Sequence, residues 1–113
     1  MPDEKQLGLL TDILDSAGRI RGYLRGVARD AFMANSEKQD AVLHRFEIIG
    51  EAASRLAPET QALFPHLPFR AMRGMRNIIA HDYGDVDLGQ VWHTASHDLE
   101  PLIEALEAYF AEK

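Results

Sequence analysis

Apolar residues recur at helical spacing along nearly the whole chain, and this periodicity restricts the fold more than any other feature. The first stripe consists of Leu7, Leu10, Leu14, Ala17, Leu24 and Ala28. A second stripe consists of Val42, Phe46, Ile49, Ala53 and Leu56. No stretch alternates polar and apolar residues as a half-buried strand would. The pattern predicts an all-α protein, an antiparallel bundle of four to five helices.

Side chains that cap helices mark three predicted helix starts. Asp3 is the expected N-cap of the first helix. Ser36 and Gln39 form a capping box before the second long helix. Asp87 and Gln90 form a similar box before the last helix, which is expected to run to about residue 112.

Glycine and proline mark predicted breaks. Three glycines recur at four-residue spacing in the first helix, at Gly18, Gly22 and Gly26. Their spacing indicates either the close approach of another helix or a break near Gly26. Pro68 can open a helix that runs to about residue 81. Pro101 should kink or interrupt the last helix because proline lacks the backbone N–H that a helix interior needs.

Size and composition predict a single soluble domain. The chain has 113 residues, of which 46% are hydrophobic, enough to bury one core over residues 1–113. No apolar run approaches the roughly 18 residues that a membrane span needs, and the first residues carry no apolar signal segment. A cytoplasmic location is therefore expected. The absence of cysteine excludes disulfides, thiolate nucleophiles and cysteine metal sites.

Charge is unevenly distributed along the chain. The net charge of -6 argues against a protein that binds nucleic acid over its whole surface. Residues 16–29 and 60–81, however, contain no Asp or Glu. Their arginines are Arg19, Arg21, Arg25, Arg29, Arg70, Arg73 and Arg76. This asymmetry predicts a basic cleft on an acidic body, although charges that simply cluster on solvated faces are the alternative.

Residues 68–83, when wound as a helix, have one apolar and one basic side. The basic side carries Arg70, Arg73, Arg76, Asn77 and His81. Histidine can exchange a proton near neutral pH, and arginine can bind two phosphate oxygens at once. RNA supplies its own nucleophile, the 2'-hydroxyl, so this strip suits phosphodiester cleavage without a metal. Arg70 and Arg73 would then contact RNA, although a merely solvated strip is the alternative.

The stretch Arg76-Asn77-Ile78-Ile79-Ala80-His81-Asp82-Tyr83 resembles the R-x4-H-x-Y motif of HEPN-domain ribonucleases. The likeness is closest to the HepT-like toxins of type VII-like toxin–antitoxin systems and extends from about residue 9 to residue 108. It includes the segments QDAV at 39–42, EIIGEA at 47–52, PHLPF at 65–69, VDL at 86–88 and VW at 91–92.

The resemblance implies a HEPN-like helical bundle that forms a homodimer, with the motifs of both protomers in one cleft. It implies metal-independent cleavage of RNA, without a cofactor, by Arg76 and His81. Asn77 would stand beside the arginine, and Glu51 would support the cleft. Tyr83 would receive AMP from ATP through a cognate minimal nucleotidyltransferase antitoxin, and the added negative charge would repel RNA.

Two further side-chain pairs allow more than one interpretation. His93 and His97 lie one helical turn apart, as metal ligands can, but no third ligand completes the pattern, so a solvated pair is favoured. Glu47 and Glu51 are also one turn apart. They suit acid–base work, but an ion pair between Glu51 and Arg55 on a solvated helix face is the favoured alternative.

Residues outside the motif could also take part in binding. Arg21, Arg25 and Arg29 share one face of the predicted first helix. They would follow an RNA backbone, meet an acidic partner or stay solvated. Trp92 is expected in the core or in dimer packing.

Two other classes of function remain open on the sequence. The first is a non-catalytic HEPN module that dimerises and binds a nucleotidyltransferase or a nucleotide. The second is a helical bundle that binds a small ligand or a metal. A pure scaffold has no need of both Arg76 and His81, so their presence together favours the ribonuclease.

Overall fold

The computed structural model describes residues 2–73 and 86–112, and all regular secondary structure in these ranges is helical. The helices are α1 (Glu4–Leu24), α2 (Arg29–Met33), α3 (Ser36–Ser54), α4 (Pro58–Gln61), α5 (described over residues 69–73), α6 (Leu88–His97) and α7 (Leu99–Ala111). The predicted all-α bundle is confirmed, and the short helices α2 and α4 lie between its long ones.

Helices α1 and α3 lie antiparallel, and side-chain hydrogen bonds link them at both ends. Near the start of α1, the Gln6 side chain accepts a hydrogen bond from the Ala57 backbone N–H at 2.8 Å and donates one to the Arg55 carbonyl at 3.3 Å. Near its end, the Lys38 ammonium donates to the Tyr23 carbonyl at 3.0 Å. These bonds join the start of α1 to the end of α3, and the end of α1 to the start of α3.

One hydrophobic core holds the long helices together. Its most deeply buried members include Leu10, Ile13, Ile20, Phe46, Ile49, Leu102, Ile103 and Leu106, which come from α1, α3 and α7. Phe32 of α2 is also fully buried, and its ring packs on Trp92 of α6 with centroids 5.4 Å apart. Trp92 is half-buried and packs against the margin of this core. Of the two predicted locations, core and dimer interface, the structure shows the core.

The predicted break near Gly26 is confirmed. Helix α1 ends at Leu24, and Gly26 has a φ of +72°, a left-handed conformation that only glycine adopts at little cost. The alternative, close approach of another helix, is not seen among the described helices, because a Cβ on Gly18, Gly22 or Gly26 would meet no described atom within 4 Å. The other described helices therefore leave the side of the repeated glycines open.

This break also corrects the predicted arginine face. Arg29 is the first residue of α2, whereas Arg21 lies in α1 and Arg25 is its C-cap. The three arginines therefore do not share one helical face. The periodicity argument failed because it continued the first helix through the turn at Gly26.

Two of the three predicted N-caps are confirmed. The Asp3 carboxylate accepts from the Gln6 N–H at 2.9 Å, and the Asp87 carboxylate accepts from the Gln90 N–H at 3.1 Å. Each satisfies a backbone donor that has no partner inside its helix.

The predicted cap at Ser36 is wrong by one residue. Asn35 caps α3, since its side chain accepts from the Lys38 N–H at 3.0 Å. Gln39 does not reach back to the cap. Its amide instead donates to the Phe32 and Met33 carbonyls, at 3.0 Å each, and so satisfies the C-terminal end of α2.

The interruption predicted at Pro101 is confirmed. Helix α6 ends at His97, α7 begins at Leu99, and Pro101 lies in the first turn of α7, where a missing N–H costs no intrahelical bond. Separately, none of the helices in the described ranges is long and apolar enough to cross a membrane.

Candidate functional site

The described residues include three of the predicted site residues, Glu51, Arg70 and Arg73. The other four are Arg76, Asn77, His81 and Tyr83, and they lie outside the described residues. Arg70 and Arg73 precede the motif in the chain, and the placement of the other four side chains stays a prediction.

Arg70 and Arg73 lie on α5, which starts directly after Pro68. The first bond of this helix runs from the Met72 N–H to the Pro68 carbonyl at 3.0 Å. Met72 is buried and Phe69 is buried beside it, whereas Arg70 is exposed and Arg73 is half-buried. The helix thus has the predicted apolar inner side and basic outer side over its described turns.

The charges of both arginines are left uncompensated within the described part of the chain. The Arg73 guanidinium donates to the neutral Gln61 amide oxygen at 3.4 Å, and neither Arg70 nor Arg73 forms an ion pair with a described carboxylate. Gln61 was not singled out from the sequence. Gln61 and Arg73 are twelve residues apart, and their contact depends on how α4 packs relative to α5, which no local sequence pattern predicts.

An aromatic cluster fixes where α5 begins. The Phe64 ring packs edge-on against Phe69 at 6.3 Å and against Tyr109 of α7 at 5.4 Å. Phe64 and Phe69 are both buried. Such edge-to-face pairs add about 0.5–1.5 kcal/mol beyond the area they bury. The cluster anchors the start of the basic helix on the end of α7.

Glu51 lies on α3, with its carboxylate 2.8 Å from the Arg55 guanidinium. This confirms the predicted ion pair. Both side chains are partly solvated, at 39% and 59% exposure, so the pair contributes little to stability. Glu47 and Glu51 line the same hollow between α1 and α3, together with His44. The support of a cleft by Glu51 stays a prediction.

A mostly apolar cavity of about 290 Å³ lies behind α5. Its walls include Phe46 and Ile49 of α3, Met72 of α5 and Leu102 of α7. Gln90, Thr94 and Asp98 add polar groups to the lining. The inner side of α5 thus borders a cavity that is large enough for a small ligand. The described lining contains no Lys or Arg side chain.

His93 and His97 are brought together as a stacked pair. Their ring centroids are 4.2 Å apart, and His97 Nδ1 lies 3.0 Å from the His93 carbonyl oxygen. Both side chains are exposed. Within residues 2–73 and 86–112, no group of three His, Asp or Glu side chains is arranged to hold a metal ion.

Comparison with known proteins identifies the family. The model of the family described as "Ribonuclease HepT-like" matches residues 13–109. The chain belongs to the HepT-like ribonuclease family. The resemblance drawn from the motif segments is thereby confirmed.

Three relatives of this HepT-like chain are similar over most of its length. "Putative RNase MJ1216" of Methanocaldococcus jannaschii is 30% identical over 107 residues, covering 95% of this chain and 88% of the relative. "Probable ribonuclease HepT" of Thermococcus cleftensis is 32% identical over 93 residues, covering 82% and 84%. "Putative RNase TTE0752" of Caldanaerobacter subterraneus is 27% identical over 93 residues, covering 82% and 83%. No solved structure matches the chain.

Proposed function

We propose that this HepT-like chain is a metal-independent endoribonuclease and the toxin of a toxin–antitoxin pair. The observation that carries the proposal is the family match over residues 13–109, a range that contains Arg76, His81 and Tyr83 at the spacing R-x4-H-x-Y. Arg70 and Arg73 support it, since they lie in the chain directly before the motif and form no ion pair with a described carboxylate.

The chemistry follows from the residue types. The 2'-oxygen of RNA attacks the adjacent phosphorus, the bond to the 5'-oxygen breaks, and a 2',3'-cyclic phosphate and a 5'-hydroxyl result. His81 acts as general base on the 2'-hydroxyl or as general acid at the leaving oxygen. Arg76 stabilises the charge of the phosphorane. Arg70 and Arg73 bind neighbouring phosphates, which requires no metal.

Assembly and regulation complete the proposal. Two chains form a homodimer in the cytoplasm, and their motifs meet in one cleft with Asn77 beside Arg76 and Glu51 behind it. A minimal nucleotidyltransferase antitoxin transfers AMP from ATP to the Tyr83 hydroxyl and releases pyrophosphate. The adenylate carries negative charge, and this charge repels the RNA backbone from the cleft.

Cleavage by single-residue variants tests the catalytic part. Purified chain should cut RNA with EDTA present and leave 2',3'-cyclic phosphate ends. His81→Ala should lower the rate about 10²–10⁴-fold because it removes a positioned proton-transfer group. His97→Ala is the matched control, since it removes an exposed imidazole of α6 and should keep full activity. Full activity in His81→Ala would overturn the proposal.

The same preparations test the modification. Chain produced together with its nucleotidyltransferase should gain the mass of added adenylate and lose its cleavage activity, and Tyr83→Phe should gain no mass. If unmodified wild-type chain leaves every RNA intact, the function is that of a non-catalytic HEPN module.

A further inference from the structure

A basic hollow with an aromatic side lies where the end of α1 meets α6 and the start of α7. Its lining includes Arg21, Arg25, Val27, Trp92, Ser96 and Glu100, and its volume is about 460 Å³. We call it the Arg21 hollow. The proposed catalysis uses residues of α5 and of the motif, and it does not involve the Arg21 hollow.

The arginines of the Arg21 hollow carry charge that the protein does not fully satisfy. Arg25 is exposed and pairs with no carboxylate in the described ranges. Arg21 reaches Glu100 with one terminal nitrogen at 3.4 Å, a long contact, while its Nε is buried and has no acceptor among the described groups. The Arg21 side chain is 40% exposed, so the terminal nitrogens of its guanidinium keep capacity for an anion in the hollow.

An aromatic wall stands beside these charges. Trp92 is half-buried, packs on Phe32 at a tilt of 35°, and also lines the hollow. The neighbouring Leu24 and Val27 are apolar. Arginines beside an aromatic ring are the pattern that binds single-stranded nucleic acid, in which phosphates meet the cations and a base lies against the ring.

We propose that the Arg21 hollow binds one nucleotide of a single-stranded RNA outside the catalytic motif. The phosphate lies at Arg21 and Arg25, and the base lies against Trp92. This inference rests on the proposed function, since it names a second contact for the same RNA substrate. The positive hollow on a chain of net charge -6 favours an anionic strand as its occupant.

Spacing along the bundle explains why a second contact would help. The Arg73 guanidinium bonds Gln61 of α4, and Ala57, the N-cap of α4, bonds Gln6 near the start of α1, so α4 links this arginine to the start of α1. From Gln6 to Arg21 the helix rises about 22 Å. A longer RNA can contact both ends of the bundle, whereas a dinucleotide cannot.

Glu100 gives the proposal a second, opposite test. It is the one carboxylate in the described lining, and it competes with phosphate for Arg21. Glu100→Gln removes that competition and keeps the shape of the side chain. RNA should therefore bind several-fold more tightly to Glu100→Gln, and a misfolded variant cannot imitate such a gain.

Trp92 supplies the readout because it is the single tryptophan of the chain. Oligouridylate is titrated into the His81→Ala protein, which should bind it without cutting, and Trp92 fluorescence should be quenched. Arg21→Ala combined with Arg25→Ala should weaken binding and lower the slope of log affinity against log salt by about 0.7, the change expected when one phosphate contact to a single strand is lost.

Arg19→Ala is the matched control on the same helix. Its guanidinium is exposed and hydrogen-bonds the Asp15 carboxylate at 3.1 Å, an interaction that raises the pKa of Arg19 above its usual value. Because Asp15 already compensates this charge, its removal should leave RNA affinity and the salt slope unchanged.

Each result decides the inference. Unchanged RNA affinity in the Arg21/Arg25 double variant overturns the inference, and so does constant Trp92 emission on RNA binding. A hollow that bound a protein partner and no RNA would give both results. Binding of uridine monophosphate or inorganic phosphate as tightly as oligouridylate overturns the strand proposal too. Arginine-dependent binding without any cleavage by wild-type chain removes the catalytic proposal alone. Cleavage without arginine dependence removes this inference alone.

Discussion

Arginines of this bundle differ in what compensates their charge. Arg19 and Arg55 each pair with a carboxylate four residues earlier on the same helix. Exposed pairs of this kind contribute about 0–1 kcal/mol, so they mainly orient their side chains. Arg70 and Arg25 have no carboxylate partner among the described residues, and they belong to the two surfaces proposed to meet RNA.

The N-cap of α6 gives a prediction at the same scale. Asp87→Ala leaves the Gln90 N–H without its side-chain acceptor, so the free energy of unfolding should fall by about 1 kcal/mol. Asp87→Asn is the control, because asparagine caps as well as aspartate does. Urea denaturation of both variants measures the difference, and equal stability of Asp87→Ala and wild type would contradict the assigned cap.

At the scale of elements, α1 shows that the position of a glycine decides its effect. Gly22 lies inside the helix, and a Cβ there would meet no described atom within 4 Å, whereas Gly26 lies beyond the helix end with φ at +72°. The same residue type is thus a weak point in one place and a requirement in the other.

Alanine at these two positions should change stability in opposite directions. Gly22→Ala should raise the free energy of unfolding by about 0.5–1 kcal/mol, because alanine is the better helix former and its Cβ meets no described neighbour. Gly26→Ala should lower it by about 1 kcal/mol or more, because a Cβ disfavours the left-handed region. Chemical denaturation compares the two, and a shift of the same sign in both would refute this account.

Local signals explain which elements could be predicted from the sequence. The cap at Asp3, the break at Gly26 and the interruption at Pro101 each depend on a residue and its immediate neighbours. The start of α3 was misplaced because Asn35 and Ser36 are both good N-caps. Asn35 is the residue that caps α3, and the Gln39 side chain, which a capping box at Ser36 would need, contacts the end of α2 instead.

The candidate site also combines features that local sequence predicts with features that depend on helix packing. The outward direction of Arg70 follows from helical periodicity, and the Glu51–Arg55 pair follows from four-residue spacing. The contact of Gln61 with Arg73 and the grouping of Arg21 with Trp92 depend on how separate helices pack, and no sequence interval encodes them. Arg76 and His81 lie outside the described residues, so their geometry remains a prediction.

The whole molecule exposes little extended apolar surface in its described part. Leu63, at 47% exposure, is its one exposed large hydrophobic side chain. Permanent dimers usually bury a large apolar interface. A homodimer formed through the described surface would depend on polar and half-buried groups, and it should dissociate on dilution.

Concentration therefore tests the proposed dimer. Sedimentation should give twice the 12.7 kDa of one chain at high concentration and the single mass after dilution. Cleavage per chain should fall over the same range, because the proposed cleft needs the motifs of two chains. Constant cleavage per chain down to the monomer would show that one chain is sufficient.

The shared core of α1, α3 and α7 has a consequence for the order in which the protein is made. Ile13 and Ile20 leave the ribosome long before Leu102 and Leu106, yet all four are buried in the same interior. Until residues 99–111 emerge, α1 and α3 can cover only part of each other's apolar surface. The nascent chain therefore stays an open, half-built bundle until α7 is synthesised, and it needs protection from aggregation during that interval.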